Sequence, residues 1–127
     1  MPEDITDVFL THLHFDHCGG AVSKDSNGNL VPTFPNAVYW SNERHWEWAV
    51  NPNERERASF LKENFIPLQE QSKIRFIESD KTYLEWLPGI VIRFSYGHTE
   101  AMMTLEIEWN DQKYVYCADL LPSSFHI

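Results

Sequence analysis

The stretch that most constrains this chain is Thr11-His12-Leu13-His14-Phe15-Asp16-His17-Cys18-Gly19-Gly20. Three of the six histidines fall within six residues there, interleaved with a carboxylate and closed by two glycines. Neutral imidazole and carboxylate are the usual protein ligands of zinc and similar divalent ions. The run before it, Ile5 to Leu10, has the β-branched and apolar make-up of a buried strand. If that strand continues to Phe15, side chains alternate faces, and His12, His14 and Asp16 project the same way. His17 then points away unless the strand ends and the chain turns, a turn for which Gly19-Gly20 supplies backbone freedom. With that turn all four donors converge. An exposed polar loop or a cloning tag explains the cluster less well, because tags are terminal and homopolymeric and this cluster follows an apolar run.

The rest of the chain supplies elements to carry such a site. Asn27-Gly28 is the strongest turn signal, Pro32 and Pro35 bracket an extended connector, and Asn36 to Trp40 is a short strand candidate. Ser41 reads as the N-cap of a helix containing Arg44, Trp46, Trp48 and Val50, ended by Asn51-Pro52. Asn53 to Glu63 reads as a charged helix with Phe60 and Leu61 inward and Glu54-Arg55-Glu56-Arg57 as its solvated face; Phe65 to Leu68 closes the region. From residue 73 the pattern turns to strands: Ile74 to Ile77, Ile90 to Phe94, Met103 to Trp109 and Tyr114 to Ala118. Pro88-Gly89 and Asn110-Asp111 mark turns between them. Met103 to Trp109 sets Glu106 and Glu108 on one face against Leu105 and Ile107 on the other, so one side should be wet. No internal repeat or linker interrupts the chain, and residues 1–127 read as one α/β domain.

Composition narrows the partners. A hydrophobic content of 43% with 14% aromatics marks a globular chain. Nineteen acidic against ten basic side chains, a formal charge of -9, disfavour nucleic acid or an anionic membrane as partner. Cys18 and Cys117 have no CxxC spacing and read as two reduced, buried thiols. No run approaches the ~20 apolar residues that cross a bilayer, and no secretory signal is visible. Cytoplasmic location is the default expectation, an upstream signal remaining open if the N-terminus is truncated.

Two further positions carry chemistry. His98, in Tyr96-Gly97-His98-Thr99, lies on the loop leaving the strand Ile90 to Phe94, and Asp119 follows the strand Tyr114 to Ala118. Alone, such a histidine is more often structural, and such an aspartate is commonly a turn or cap residue. Strand ends on one edge of a sheet, however, are where loops converge to build sites.

With these pieces in place the chain resembles the metallo-β-lactamase-fold hydrolases. Thr11-His12-Leu13-His14-Phe15-Asp16-His17 matches the family's Thr-His-x-His-x-Asp-His element, Gly97-His98-Thr99 its Gly-His-Thr element, and Asp119 its bridging aspartate. The segments Gly19-Gly20-Ala21 and Phe34-Pro35-Asn36-Ala37 are similar to the lactonase-like and organophosphate-hydrolase-like branch. The resemblance implies an αββα sandwich, entered midway and incomplete at both ends. It implies two divalent metal ions, zinc before iron, manganese or cobalt. His12, His14 and His98 would hold the first, Asp16 and His17 the second, with Asp119 bridging. It implies a small-molecule substrate carrying an ester, lactone or related bond, attacked by a hydroxide between the metals. Asp16 and Asp119 would be the catalytic carboxylates, Asp16 helping to orient that hydroxide.

The chain departs from the family pattern in three places. Glu100-Ala101 stands where Pro-Gly usually follows Gly-His-Thr, the family's last histidine ligand has no equivalent (His126 is not taken as one), and flanking strands are absent. These departures lead to two expectations: a homo-oligomer formed through exposed sheet edges, and, as an alternative function, a non-catalytic truncated remnant binding one metal or none. Cys18 reads as a small apolar position, not a thiolate ligand. His45 reads as a helix-surface or pocket-rim residue. Phe15, Trp40, Trp46 and Trp48 read mainly as core with a share in lining a substrate pocket, and Tyr96 as an oxyanion candidate.

Overall fold

A computed structural model describes residues 1–123 of the chain. Among the described residues two larger sheets and three α-helices form three layers, with a separate two-stranded hairpin. The first sheet is parallel, in the order β1 (Asp7–Phe9), β4 (Val38–Asn42), β5 (Ile74–Ile77). Parallel neighbours require crossovers. The first passes through α1 (Phe15–Cys18) and the hairpin of β2 (Val22–Lys24) and β3 (Leu30–Pro32). The second passes through α2 (Glu43–Val50) and α3 (Ile66–Glu70). The second sheet is an antiparallel meander of β6 (Tyr83–Leu87), β7 (Ile90–Ser95), β8 (Met102–Trp109) and β9 (Gln112–Tyr116).

Side-chain alternation in the parallel sheet assigns its two faces. Val8, Tyr39 and Ile74 are cross-strand partners and face the helices, where Leu13, Cys18, Trp46, Ala49, Phe65 and Leu68 complete one core. Phe9 and Trp40 point the other way, onto Trp86, Ile92, Phe94 and Met103 of the second sheet. Trp86 wedges between them, its ring centroid 5.5 Å from Phe9 and 5.4 Å from Trp40. All three helices contribute to the first core, so the outer helical layer of an αββα arrangement has no counterpart among the described residues.

Several local expectations are revised. The first strand stops at Phe9: the histidine stretch is an extended loop that enters α1 with His14 as N-cap. Gly19 continues α1 with φ -58°, and neither Gly19 nor Gly20 has a positive φ, so the helical turn and not glycine freedom swings His17 round. Asn42, not Ser41, caps α2, its Oδ1 accepting the His45 amide at 2.8 Å. Residues 53–63 are not a helix: Arg57–Ser59 and Lys62–Asn64 are separate 3₁₀ turns, with Phe60 buried and Leu61 exposed. The strand β6 lacks a clear sequence signature because its apolar positions are interrupted by Glu85 and a bulge. Cys117 is half-buried. His126 lies outside the described residues. No helix among those described is long and apolar enough to cross a membrane.

The β8–β9 turn places Asn110 at φ 50° and Asp111 at φ 58°, the left-handed pair that a two-residue hairpin requires. Replacing Asp111 by glycine removes the Cβ penalty there. Asp111→Gly is expected to raise the unfolding free energy by about 0.5–1 kcal/mol in urea titrations; a destabilised variant would show that the turn is held in another conformation.

Candidate metal centre

Four loops bring the expected donors together. The loop after β1 carries His12 and His14, the first turn of α1 carries Asp16 and His17, the loop after β7 carries His98, and the 3₁₀ turn after β9 carries Asp119. Two groups result, each with one ligand atom per residue and all those atoms within 4.8 Å of one another: His12, His14 and His98, and His12, His17 and Asp119. His14 Nδ1 lies 3.1 Å from His98 Nε2. The two oxygens of Asp119 divide between the groups, Oδ1 3.2 Å from His17 Nε2 and Oδ2 3.2 Å from His98 Nε2. Asp16 belongs to neither group; its carboxylate is 57% exposed and 3.5 Å from His17 Nε2.

The electrostatics favour lone pairs over protons. Burial, followed by repulsion from His17, His14, His45 and His98, pushes the His12 pKa down to about 2. Its Nδ1 meets Thr11 Oγ1 at 3.1 Å, while its Nε2 is buried with no partner. A neutral buried imidazole with an unsatisfied nitrogen, among other nitrogen and carboxylate donors, suits a divalent cation. Burial and then His98 also lower His14, against the opposing pull of Glu56 and Asp16. Burial pushes the Cys18 thiol up to about 12, so Cys18 is no thiolate ligand; its Sγ donates to the Leu13 carbonyl at 3.2 Å.

Two residues read as peripheral in the sequence are built into this centre. Glu56, in the charge run taken for a solvated face, is only 6% exposed. Asn53 caps its turn through Oδ1, 2.9 Å from the Glu56 amide. Its Oε2 accepts Thr99 Oγ1 at 2.6 Å and Trp48 Nε1 at 3.1 Å, and stands 3.6 Å from His14 Nε2. Burial opposes its ionisation, but hydrogen bonds from Thr99, Arg55 and Trp48 outweigh burial and hold its pKa at about 2. His45, taken for a surface residue, is fully buried on the face of α2 shared with Trp46 and Ala49. That grouping was the available signal; nothing in the charge run marked Glu56.

The loop after β7 shows the effect of Glu100-Ala101. Ala101 adopts φ 50°, where a glycine has no Cβ penalty, and Asn42 Nδ2 donates to its carbonyl at 2.9 Å. Glu100 forms an ion pair with Arg44, whose guanidinium sits 4.9 Å above the Tyr96 ring. His98 keeps its place beside His14 despite the substitution.

A family model described as the metallo-beta-lactamase superfamily matches residues 1–127. The chain belongs to the metallo-β-lactamase superfamily. An N-acyl homoserine lactonase from a Bacillus species is 33% identical over 107 residues, 84% of this chain but 34% of the relative. A probable metal-dependent hydrolase from Staphylococcus aureus superposes with a TM-score of 0.78 at 29% identity, covering 98% of this chain and 42% of that one. AidC, a dizinc quorum-quenching lactonase crystallised with a product, gives 0.74 at 27% identity over 94% and 43% of the two chains. The chain thus spans about a third of the length of the curated relatives it matches.

Two outcomes test this electrostatic picture. Glu56→Ala strands the buried Thr99 hydroxyl and removes the acceptor of the half-buried Trp48 indole, and is expected to cost about 2–4 kcal/mol in urea unfolding, against less than about 0.5 for the exposed Glu54→Ala. His12 and His45 are both depressed below the 6.5 of the unfolded chain, to about 2 and about 4. The unfolded state therefore takes up their protons first, and stability present above pH 6.5 is lost as pH falls, through about 4 for His45 and about 2 for His12. The urea midpoint of chelator-treated protein should fall steadily from pH 7 to pH 5; a flat profile would mean that these rings are not buried and neutral.

Proposed function

We propose that the whole protein is a metal-dependent hydrolase of small molecules and that this chain carries most of its metal centre. The lactonase relatives favour a lactone or related ester as substrate. The observation that carries the reading is the pair of donor groups sharing His12, with the Asp119 oxygens turned one to each. In this reading His12, His14 and His98 hold one divalent ion. His17 and Asp119 would hold a second, with the exposed Asp16 carboxylate 3.5 Å from His17 Nε2 as a further donor. Bound divalent ions supply an acidified water and a Lewis acid for the substrate's carbonyl or phosphoryl oxygen. The protein's part is to present neutral imidazoles, to keep Glu56 ionised against His14, and to hold Asp119 as a fixed acceptor between His17 and His98.

The exposed position of Asp16 favours a second reading, in which only the histidine group is filled and nothing is turned over. Metal analysis after zinc loading separates them, about two ions per chain supporting the hydrolase and about one or none the remnant. With zinc supplied, hydrolysis of an N-acyl homoserine lactone is expected. His12→Ala and Asp119→Ala should reduce it to background; unchanged turnover in either variant would refute the site.

A further inference from the structure

The donor groups depend on the separation of two loops that share no strand pairing at the ligand positions, and one buried side chain spans both. His45 Nε2 lies 2.8 Å from the Leu13 amide nitrogen, and its Nδ1 lies 2.5 Å from the Glu100 carbonyl oxygen. Leu13 sits between His12 and His14, and Glu100 lies two residues after His98. The Leu13 amide only donates and the Glu100 carbonyl only accepts, so their demands fix one form of the ring: neutral, proton on Nδ1, lone pair on Nε2. With both nitrogens occupied, His45 has no lone pair left for a cation, although its ring centroid is 6.4 Å from that of His12.

The surroundings make this a rigid strut. His45 is in the first turn of α2, and its amide is capped by Asn42 Oδ1 at 2.8 Å. The Nδ2 of the same Asn42 holds the Ala101 carbonyl at 2.9 Å, one residue beyond Glu100. On the far side of the loop the Leu13 carbonyl accepts from Cys18, and the Leu13 side chain is fully buried. A shift of either loop would break a hydrogen bond to a fully buried ring, which is expensive.

We propose that His45 is a positioning residue for divalent-metal binding: as the fixed tautomer between Leu13 and Glu100 it sets the spacing of the His12–His14 loop and the His98 loop. The proposal rests on the metal centre proposed above. A histidine is suited to the role because its donor and acceptor sit on opposite edges of a rigid ring; a glutamine carries both on one carbon and reaches one partner at a time.

The test compares native protein with His45→Gln and His45→Phe. Zn²⁺ affinity is measured by chelator competition, the visible absorption of Co²⁺-loaded protein is recorded, and folding is checked by far-UV circular dichroism and thermal melting. Folded variants are expected to bind Zn²⁺ about 10- to 100-fold more weakly and to show an altered Co²⁺ spectrum. Native affinity and a native spectrum in a folded variant, whatever its melting temperature, would overturn the proposal and leave His45 a core residue. Native protein that binds neither ion would instead defeat the metal centre itself. If neither variant folds, ¹⁵N-histidine spectra and hydrogen exchange of the native protein decide. The proposal requires the Nδ1–H form of His45 with and without Zn²⁺, and a Leu13 amide whose exchange slows when Zn²⁺ binds; an Nε2–H ring or unchanged exchange would reject it.

Discussion

Crowding several imidazoles around the fully buried His12 is the constraint on which this structure turns. The His12 ring centroid lies 4.1 Å from that of His17, 4.8 Å from that of His14 and 5.2 Å from that of His98. Such rings repel one another when protonated and leave lone pairs unsatisfied when neutral. The arrangement is held because the segments carrying the rings are pinned elsewhere. The Leu10 amide donates to the Trp40 carbonyl, the Met103 amide to that of Thr11, and Leu13 is fixed at its amide and its carbonyl. The first of these bonds ties the histidine loop to the parallel sheet, and the second ties it to the antiparallel one.

The layered fold is the means of making those ties. A parallel strand whose successive residues face opposite ways delivers Val8 to the helices and Phe9 to the second sheet, so the loop that follows emerges between two cores. Ligand sites in sheets with parallel strands characteristically lie beyond carboxyl ends of strands. Here the ends of β1 and β4 supply the histidine loop and the α2 cap, while β7 and β9 of the other sheet supply His98 and Asp119. Glu56 and His45 then tie the loops together from two directions, one through Thr99 and His14, the other through Glu100 and Leu13.

Much of this was legible in the chain. The donors His12, His14, His17, His98 and Asp119 are separated by up to 107 positions and still meet, because each follows a strand whose apolar pattern is visible. The local path was less legible. Alternation along a supposed long strand sets His12, His14 and Asp16 on one face, but the strand ends at Phe9 and a helical turn follows, so His12 and His14 meet while Asp16 is left exposed. Glu56 was hidden because three of its charged neighbours do face solvent, and a charge run carries no mark of the one member that Thr99 and Trp48 draw inward. His45 lay among tryptophans on a short helix, where its grouping with Trp46 and Ala49 signals burial but not the pairing with distant backbone groups.

Among the described residues the strand β9 pairs with β8 alone, and every one of its residues is exposed to solvent. Elements of that kind open locally at lower free energy than the core. Asp119 stands just past the end of this strand, entered through Ala118 in the left-handed region at φ 46°. A ligand carried on such an element binds only while the element is docked, so the apparent affinity of the centre scales with the docked fraction of the hairpin. Conversely, a cation held by His17 and Asp119 would act as a clasp, tying the end of β9 to α1.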